Sequence, residues 1–220
     1  WAKSKSSGRR GRDSNRKRDI MGFSGILWDS MRFSEYRYLV SSDLYRYKAR
    51  KDAATFIRDL LFNPGFKYTF WMRSAKYFRQ KKFLLFVHII CRLFLNHYKF
   101  KYGISIPYDT NIGAGFYIGH FGGIVVNPAV IIGNNCNINQ DVSVGATYGG
   151  RTPGVPSIGN NVYLGPGSKI IGGIHIGDDA AIGANCVVNK SIDDHSVAAG
   201  NPFQIVSHEG TSRYVINTDY

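Results

Sequence analysis

His120 is the side chain of this 220-residue protein whose surroundings best suit acid–base chemistry. It lies in the segment Gly119-His120-Phe121-Gly122-Gly123, where glycines on both sides leave room for a ligand to approach. The other five histidines lie on predicted helices, within a regular repeat or near the C-terminus. A neutral imidazole, with a pKa of about 6.5, is the natural group to take a proton from an alcohol at neutral pH. Taken alone, such a histidine is more often structural than catalytic, so its surroundings decide.

A six-residue repeat surrounds this histidine. Isoleucine, leucine or valine recurs at every sixth position in three runs, often followed by glycine, which does not obstruct a bend and tolerates φ > 0. The thirteen aliphatic positions are Ile106, Ile112, Ile118 and Ile124; Ile132, Ile138 and Val144; and Ile158, Leu164, Ile170, Ile176, Ile182 and Val188. Neither a helix nor an antiparallel meander has this period. The repeat predicts a coil of very short parallel strands, with each aliphatic side chain pointing inward.

Two interruptions of the repeat mark inserted residues. Ile124 and Ile132 are eight positions apart, an excess of two that a bulge at one corner can absorb. Val144 and Ile158 are fourteen positions apart, and the extra residues, in 146–156, include three glycines and two prolines. They predict an extruded loop over 146–157. Because insertions in such coils collect on the functional face, the site is expected at this loop and the neighbouring coil.

Basic residues dominate the composition, with a formal net charge of +13. Residues 1–20 hold eight Lys or Arg against two Asp and almost no apolar residues, which predicts a disordered basic extension without a role in the fold. A basic arm for nucleic acid is the alternative. No aromatic interleaving or nucleic-acid module accompanies the charge, so no nucleic-acid partner is expected.

The three cysteines indicate a reducing compartment. Cys91, Cys136 and Cys186 are odd in number and widely separated, and the last two occupy inward positions of the repeat, where they suit small core residues. The chain has no signal-peptide pattern. We therefore expect a cytoplasmic protein, with peripheral contact at the inner face of the membrane as a further option.

The region 21–103 is predicted to be helical. Ser42-Asp43 can cap a helix that continues to Leu61 and stops at Asn63-Pro64-Gly65, and a second helix is expected from Phe66 to Gln80. The apolar run 81–95 is too short to cross a bilayer, which needs about 20 residues. These helices either cover the open end of the coil and neighbouring subunits, or rest on an anionic membrane surface through aromatic and basic side chains.

Three segments resemble those of hexapeptide-repeat acetyltransferases: Ile112-Gly-Ala-Gly-Phe-Tyr-Ile-Gly-His-Phe-Gly-Gly-Ile124, the loop, and Ala199-Gly-Asn-Pro-Phe-Gln-Ile-Val206. The resemblance is to the serine acetyltransferase type and, within it, to sugar and capsular-polysaccharide O-acetyltransferases. It implies a mainly β fold: a left-handed parallel β-helix over 104–206, preceded by the helical region and followed by a tail, 207–220. It also implies a homotrimer, with acetyl-CoA in the groove between two β-helices and His120 as general base.

The resemblance further implies which residues bind the two substrates. Acetyl-CoA is expected at Gly145, Ala146, Arg151, Gly165, Lys169, Ala184 and Lys190, and the acceptor at Gly119, Phe121 and Tyr148. Backbone amides would pair with the pantetheine arm, and the cations would pair with the phosphates. No metal is expected.

Two departures from the family pattern favour a sugar acceptor. Serine acetyltransferases place one aspartate directly before the catalytic histidine and another fifteen residues upstream, where this chain has Gly119 and Ser105. The Arg-His pair that ends the family's loop is replaced by Gly154-Val155. Because an amino acid would then bind with both charges unpaired, we expect transfer to a hydroxyl of a sugar or capsular polysaccharide. Serine O-acetyl transfer is the alternative.

Two other classes of protein are less consistent with the sequence. A zinc enzyme on the same kind of coil needs three converging histidines, but His120, His175 and His195 differ in their phase within the repeat. A rigid scaffold or membrane-surface binding module would leave His120 and the glycine-rich loop without a purpose. Direct transfer is expected, because no cysteine lies beside His120 to form a covalent intermediate.

Overall fold

The computed structural model describes residues 31–220, so the predicted basic extension 1–20 lies outside the described residues. The N-terminal part is helical. Its elements are α1 (Phe33–Lys48), α2 (Ala53–Phe62), α3 (Pro64–Arg79), a 3-10 turn (Lys82–Leu84) and α4 (Leu85–Tyr102).

The boundary predicted between the first helices is wrong. Ser42 and Asp43 do not cap a helix; they lie inside α1, where their side chains accept hydrogen bonds from the backbone of the first coil. The chain leaves α1 through Ala49 in the left-handed conformation, and Asp52 caps α2 by accepting from Thr55 N. Asn63 ends α2 as predicted and also caps α3, with Pro64 in the first turn.

The last helix is longer than the apolar run from which it was predicted. With the preceding 3-10 turn it extends over Lys82–Tyr102, 21 residues, and most of its surface is exposed. The length argument against a membrane span is therefore corrected: by length and composition alone, this helix could cross a bilayer. It is the one such helix among the described residues, and a single helix of this kind is weak evidence for a membrane span.

The rest of the chain forms fifteen short strands in three sheets. The strands are β1 (Ile104–Ser105), β2 (Asn111–Ile112), β3 (Tyr117–Ile118), β4 (Ile124–Val126), β5 (Ile131–Ile132), β6 (Asn137–Ile138), β7 (Ser143–Gly145), β8 (Ser157–Ile158), β9 (Tyr163–Leu164), β10 (Lys169–Ile171), β11 (His175–Ile176), β12 (Ala181–Ile182), β13 (Val187–Val188), β14 (Val197–Ala199) and β15 (Gln204–Ser207). The sheet orders are β1-β4-β7-β10-β13, β11-β8-β5-β2 and β15-β14-β12-β9-β6-β3. All pairs are parallel except β14–β15, so each turn of the coil adds one strand to each sheet.

The aliphatic repeat forms the core, as predicted. All thirteen repeat positions are at most 4% exposed, and Cys136 and Cys186 are buried among them. Repeat residues stack directly on one another; Ile112 pairs with Ile132, which pairs with Ile158. A coil of short parallel strands and a helical region are therefore confirmed. The description "mainly β" is wrong, because the described helices contain more residues than the described strands.

The two interruptions of the repeat are accommodated differently. The two extra residues lie at the corner between β3 and β4, as predicted: Ile118 pairs with Ile138 and Val126 with Val144, so eight positions in this coil match six in the next. The larger insertion forms the predicted extruded loop, closed at its base by two backbone hydrogen bonds between Thr147 and Gly154. Gly172 and Gly173 of the next coil bind the loop through Gly145 O and Thr152 O.

The corners use glycine and asparagine for different purposes. The glycine that follows a repeat position is needed because the coils stack closely: a Cβ at Gly133 would lie 2.5 Å from Gly159 O. Many positions with φ > 0 are instead occupied by Asn or Asp, such as Asn135, Asp141 and Asn185. These short polar residues tolerate the left-handed conformation better than other non-glycine residues.

The helices close the first coil, as one of the two predicted roles required. Tyr68 Oη bonds to both Ile106 N and Ile106 O, and Tyr47 Oη does the same at Ile118. The Arg73 guanidinium donates to the carbonyl groups of Ile112 and Gly113. The helices therefore satisfy backbone groups that a parallel sheet leaves unpaired at its edge.

A pair of adjacent isoleucines tests the inward register. Ile132 is 2% exposed and Ile131, its neighbour in β5, is 43% exposed. We expect Ile132→Ala to lower the free energy of unfolding by about 2–5 kcal/mol through lost burial and a cavity. Ile131→Ala should change it by less than about 0.5 kcal/mol. Urea unfolding at a fixed protein concentration measures both, and equal effects would contradict the register.

Candidate active site

His120 lies at the corner between β3 and β4 and is exposed. Within residues 31–220 its ring makes no hydrogen bond or ion pair. The ring is available to a ligand or to another subunit.

The position of this corner is set from the helical side. Tyr47 Oη accepts from Ile118 N at 3.2 Å and donates to Ile118 O at 3.3 Å, two residues before His120. Burial raises the pKa of Tyr47 well above its ordinary value, so the phenol keeps the proton that it donates. Gly65 allows the close approach of α3, because a Cβ there would lie 2.5 Å from Tyr47 Oη and nearer still to Ile118 O. Helices α1 and α3 thus fix the position of β3, the strand that precedes the histidine.

Gly119 occupies a position that has no space for a side chain. A Cβ built there would lie 2.5 Å from Asn139 Oδ1. Asn139 is buried, and its Nδ2 donates to Leu164 O at 2.9 Å. An aspartate next to His120 would therefore have to displace a buried, hydrogen-bonded amide, which explains the departure from the family pattern in physical terms.

A cavity of about 530 Å³ adjoins His120. Gly119 and Phe121, both predicted to bind the acceptor, line it together with His120. Its opposite wall includes three charged residues of α1 and α2 that the sequence analysis did not identify: Lys48, Arg58 and Asp59. The available signal was a carboxylate within the apolar helical stretch Phe56–Leu61.

Asp59 is the unusual member of this set. Its carboxylate is 5% exposed; Oδ1 accepts from Arg58 Nε at 2.9 Å, and Oδ2 has no donor among the described residues. The hydrogen bond to Asp59 raises the pKa of Arg58, so that the guanidinium is charged. The cavity consequently presents one carboxylate, two cations and one imidazole.

The residues predicted to bind acetyl-CoA lie on two edges of the coil. Gly165 and Ala184 occupy corners stacked below that of His120, where backbone hydrogen bonds connect successive corners. Gly165 must be glycine because a Cβ would lie 2.5 Å from Ile182 O, so its identity alone is not evidence of a ligand. Lys169 Nζ donates to Asp141 O and Ser143 Oγ, and is therefore already engaged within the chain.

The remaining predicted residues lie at the next edge, where β7 and β13 end. Gly145 and Ala146 form the base of the loop, and a Cβ at Gly145 would meet no atom within 4 Å. Tyr148 is 95% exposed at the loop tip, and Arg151 and Lys190 are also exposed. None of these residues lines the cavity beside His120. A single chain therefore does not bring the two groups together.

Ser105, His175 and His195 do not line the cavity beside His120. Ser105 lines a separate cavity of about 600 Å³ with Arg92 and Lys99, away from His120. Among residues 31–220, no group of three or more His, Cys, Asp or Glu could hold a metal ion. His175 bonds to Ser157, and His195 to Asp179.

Known proteins similar to this chain are acetyltransferases. The family described as bacterial transferase hexapeptide (six repeats) matches residues 156–190. The serine acetyltransferase of Helicobacter pylori is 31% identical over 150 residues, which are 68% of this chain and 85% of that protein. The serine acetyltransferase of Synechococcus elongatus is 31% identical over 69% of this chain, but only 60% of that protein is spanned. The soybean serine acetyltransferase complexed with serine has a TM-score of 0.62 at 28% identity, covering 78% of this chain and 69% of that one.

These comparisons overturn the predicted acceptor. The expectation of a sugar or capsular polysaccharide is wrong, because the relatives found by sequence and by structure are serine acetyltransferases. The expectation rested on missing charges near the histidine motif. The cavity carries such charges, but they come from the helical region.

Proposed function

Because the chain belongs to the serine acetyltransferase family of hexapeptide-repeat transferases, we propose that it transfers the acetyl group of acetyl-CoA to the hydroxyl of L-serine. Acetyl-CoA as co-substrate agrees with membership of an acetyltransferase family. The observation that carries the proposal is the exposed imidazole of His120, which has no partner among residues 31–220 and lines a cavity that also contains both signs of charge.

In the proposed mechanism His120 acts as the general base. The serine hydroxyl donates its proton to the imidazole as its oxygen attacks the thioester carbonyl carbon. A tetrahedral oxyanion forms, stabilised by a backbone amide of a neighbouring coil. The C–S bond then breaks, and the imidazolium returns its proton to the departing CoA thiolate. The products are O-acetylserine and CoA, and His120 is neutral again.

We further propose that the coil is left-handed and assembles as a homotrimer. The two groups of predicted acetyl-CoA residues lie on different edges of one column, and the loop tip with Tyr148 and Arg151 is outside the cavity of its own chain. In a three-fold ring the His120 edge of one subunit faces another edge of the next, so one subunit would supply the base and its neighbour the loop. The groove between two subunits would then hold the pantetheine arm.

Product analysis tests the proposal. Purified protein incubated with acetyl-CoA and L-serine should form O-acetylserine and free CoA in equal amounts, as followed by mass spectrometry and by a thiol reagent. Omission of serine should abolish all but slow hydrolysis. Folded protein that yields no O-acetylserine would refute the proposed acceptor.

A further inference from the structure

We infer that the helical region recognises the charged groups of the acceptor: Asp59 binds its ammonium group, and Arg58 with Lys48 binds its carboxylate. This inference rests on the proposed transfer to serine and concerns how this chain recognises that amino acid. The residues belong to α1 and α2, outside the coil and outside the family motif around His120.

The first observation is the buried oxygen of Asp59 that lacks a donor. Buried carboxylate oxygens are almost always hydrogen-bonded, because an unsatisfied one loses its hydration without compensation. Asp59 Oδ2 has no donor among the described residues, although Asp59 lines the cavity that His120 also lines. An ammonium group brings three donors and a positive charge. It is therefore the group that would satisfy Oδ2 while Arg58 keeps Oδ1.

The second observation is the orientation of α2. This short helix buries Thr55 and Asp59 and leaves Ile57, Leu61 and Phe62 exposed. Phe56 and Leu60 of the same helix are partly buried and pack against the small apolar cluster that contains Phe66. The orientation of α2 thus combines apolar packing with a buried carboxylate that lines the cavity beside His120.

The third observation is the sign and number of the other charges. Among the described residues that line the cavity, Asp59 is the only acidic side chain, and Arg58 and Lys48 are the cations. Arg58 is about half exposed, and its Nε donates to Asp59 Oδ1. An α-amino acid carries one ammonium and one carboxylate, so it matches this set, whereas a neutral alcohol would leave Asp59 Oδ2 and the charge of Lys48 without a counterpart.

The crowding at Gly119 explains why the carboxylate comes from a helix. The coil has no space for an aspartate beside His120 without displacing the buried Asn139. Asp59 reaches the same cavity from the opposite wall. Recognition of the amino group and catalysis are thereby divided between α2 and the β3–β4 corner.

Steady-state kinetics with three acceptors tests the assignment. The acceptors are L-serine, 3-hydroxypropionate, which lacks the ammonium group, and ethanolamine, which lacks the carboxylate. Asp59→Asn should raise the KM for L-serine roughly tenfold to a hundredfold, as expected for loss of a charged hydrogen bond, and leave the KM for acetyl-CoA unchanged. The same substitution should have little effect on the KM for 3-hydroxypropionate. Arg58→Ala and Lys48→Ala should raise the KM for L-serine but not the KM for ethanolamine.

Asp109→Asn, an exposed carboxylate outside the cavity, serves as the control and should resemble wild type. If Asp59→Asn fails to fold, Arg58→Ala against serine and ethanolamine still decides the question. Wild-type transfer to serine with an unchanged serine KM in Asp59→Asn and Arg58→Ala would overturn the inference and leave the proposed function standing. No transfer to serine by folded wild-type protein would refute the proposed function itself.

Discussion

Replacement of His120 by alanine is expected to lower the turnover number for serine acetylation by roughly 10² to 10⁴, because the serine hydroxyl then loses its general base. His120 is exposed and has no partner among the described residues, so its removal should not disturb the fold. Acetyl-CoA should still bind and should raise the melting temperature of the variant as it does that of wild type. Stopped or continuous thiol assays measure the turnover, and thermal shift measures the binding.

His175 provides the matched control. It is exposed on another face of the coil and bonds to Ser157 rather than lining the cavity. His175→Ala should retain wild-type turnover. Near-wild-type turnover in His120→Ala would remove the assignment of the general base, and loss of acetyl-CoA binding would show that His120 serves the donor rather than the acceptor.

Replacement of Asp43 by alanine is expected to lower the free energy of unfolding by about 3–5 kcal/mol. Asp43 is fully buried, and its carboxylate accepts from Arg73 Nε at 3.0 Å and from Phe116 N at 2.8 Å. The variant leaves the Arg73 guanidinium buried without its counter-charge, and the first coil loses a backbone partner. A fall in melting temperature of about 10 °C corresponds to this change for a chain of this size.

Two further variants separate the buried pair from ordinary surface charge. Asp43→Ala combined with Arg73→Ala should cost less than the sum of the two single variants, because the second removes the charge left unpaired by the first. Arg213→Ala, which removes an exposed pair with Glu209, should leave the melting temperature unchanged. Strict additivity at Asp43 and Arg73, with small single effects, would contradict the capping role of the helices.

The coil was predictable because its rule is local and repeated. Each six-residue unit repeats the same pattern of inward-pointing side chains. The burial of Ile132 or Ile170 can therefore be predicted without knowledge of distant residues. The helical boundaries depend instead on tertiary contacts. In sequence, Ser42-Asp43 is typical of a helix cap, but in the structure their side chains accept hydrogen bonds from the backbone of the first coil.

The site was only partly predictable for the same reason. His120 stood out because its glycine neighbours are adjacent in sequence. Asp59 and Lys48 are some 60 and 70 positions away and reach the cavity only through the packing of the helices on β3. The residues next to His120 in sequence carry no formal charge, which favoured a sugar acceptor, and the serine acetyltransferase relatives correct that prediction. Lys169, a cation predicted to bind phosphate, also makes contacts that the sequence did not predict, because its Nζ donates to Asp141 O and Ser143 Oγ of the neighbouring corner.

The specificity constant for L-serine at saturating acetyl-CoA tests the central claim most directly. Thiol release should depend on L-serine, saturate with it, and exceed the rate with 3-hydroxypropionate, with ethanolamine and with simple sugars by roughly tenfold or more, because only serine satisfies both signs of charge in the cavity. Thiol release that is fastest with the sugars, or that does not respond to L-serine, would contradict the account.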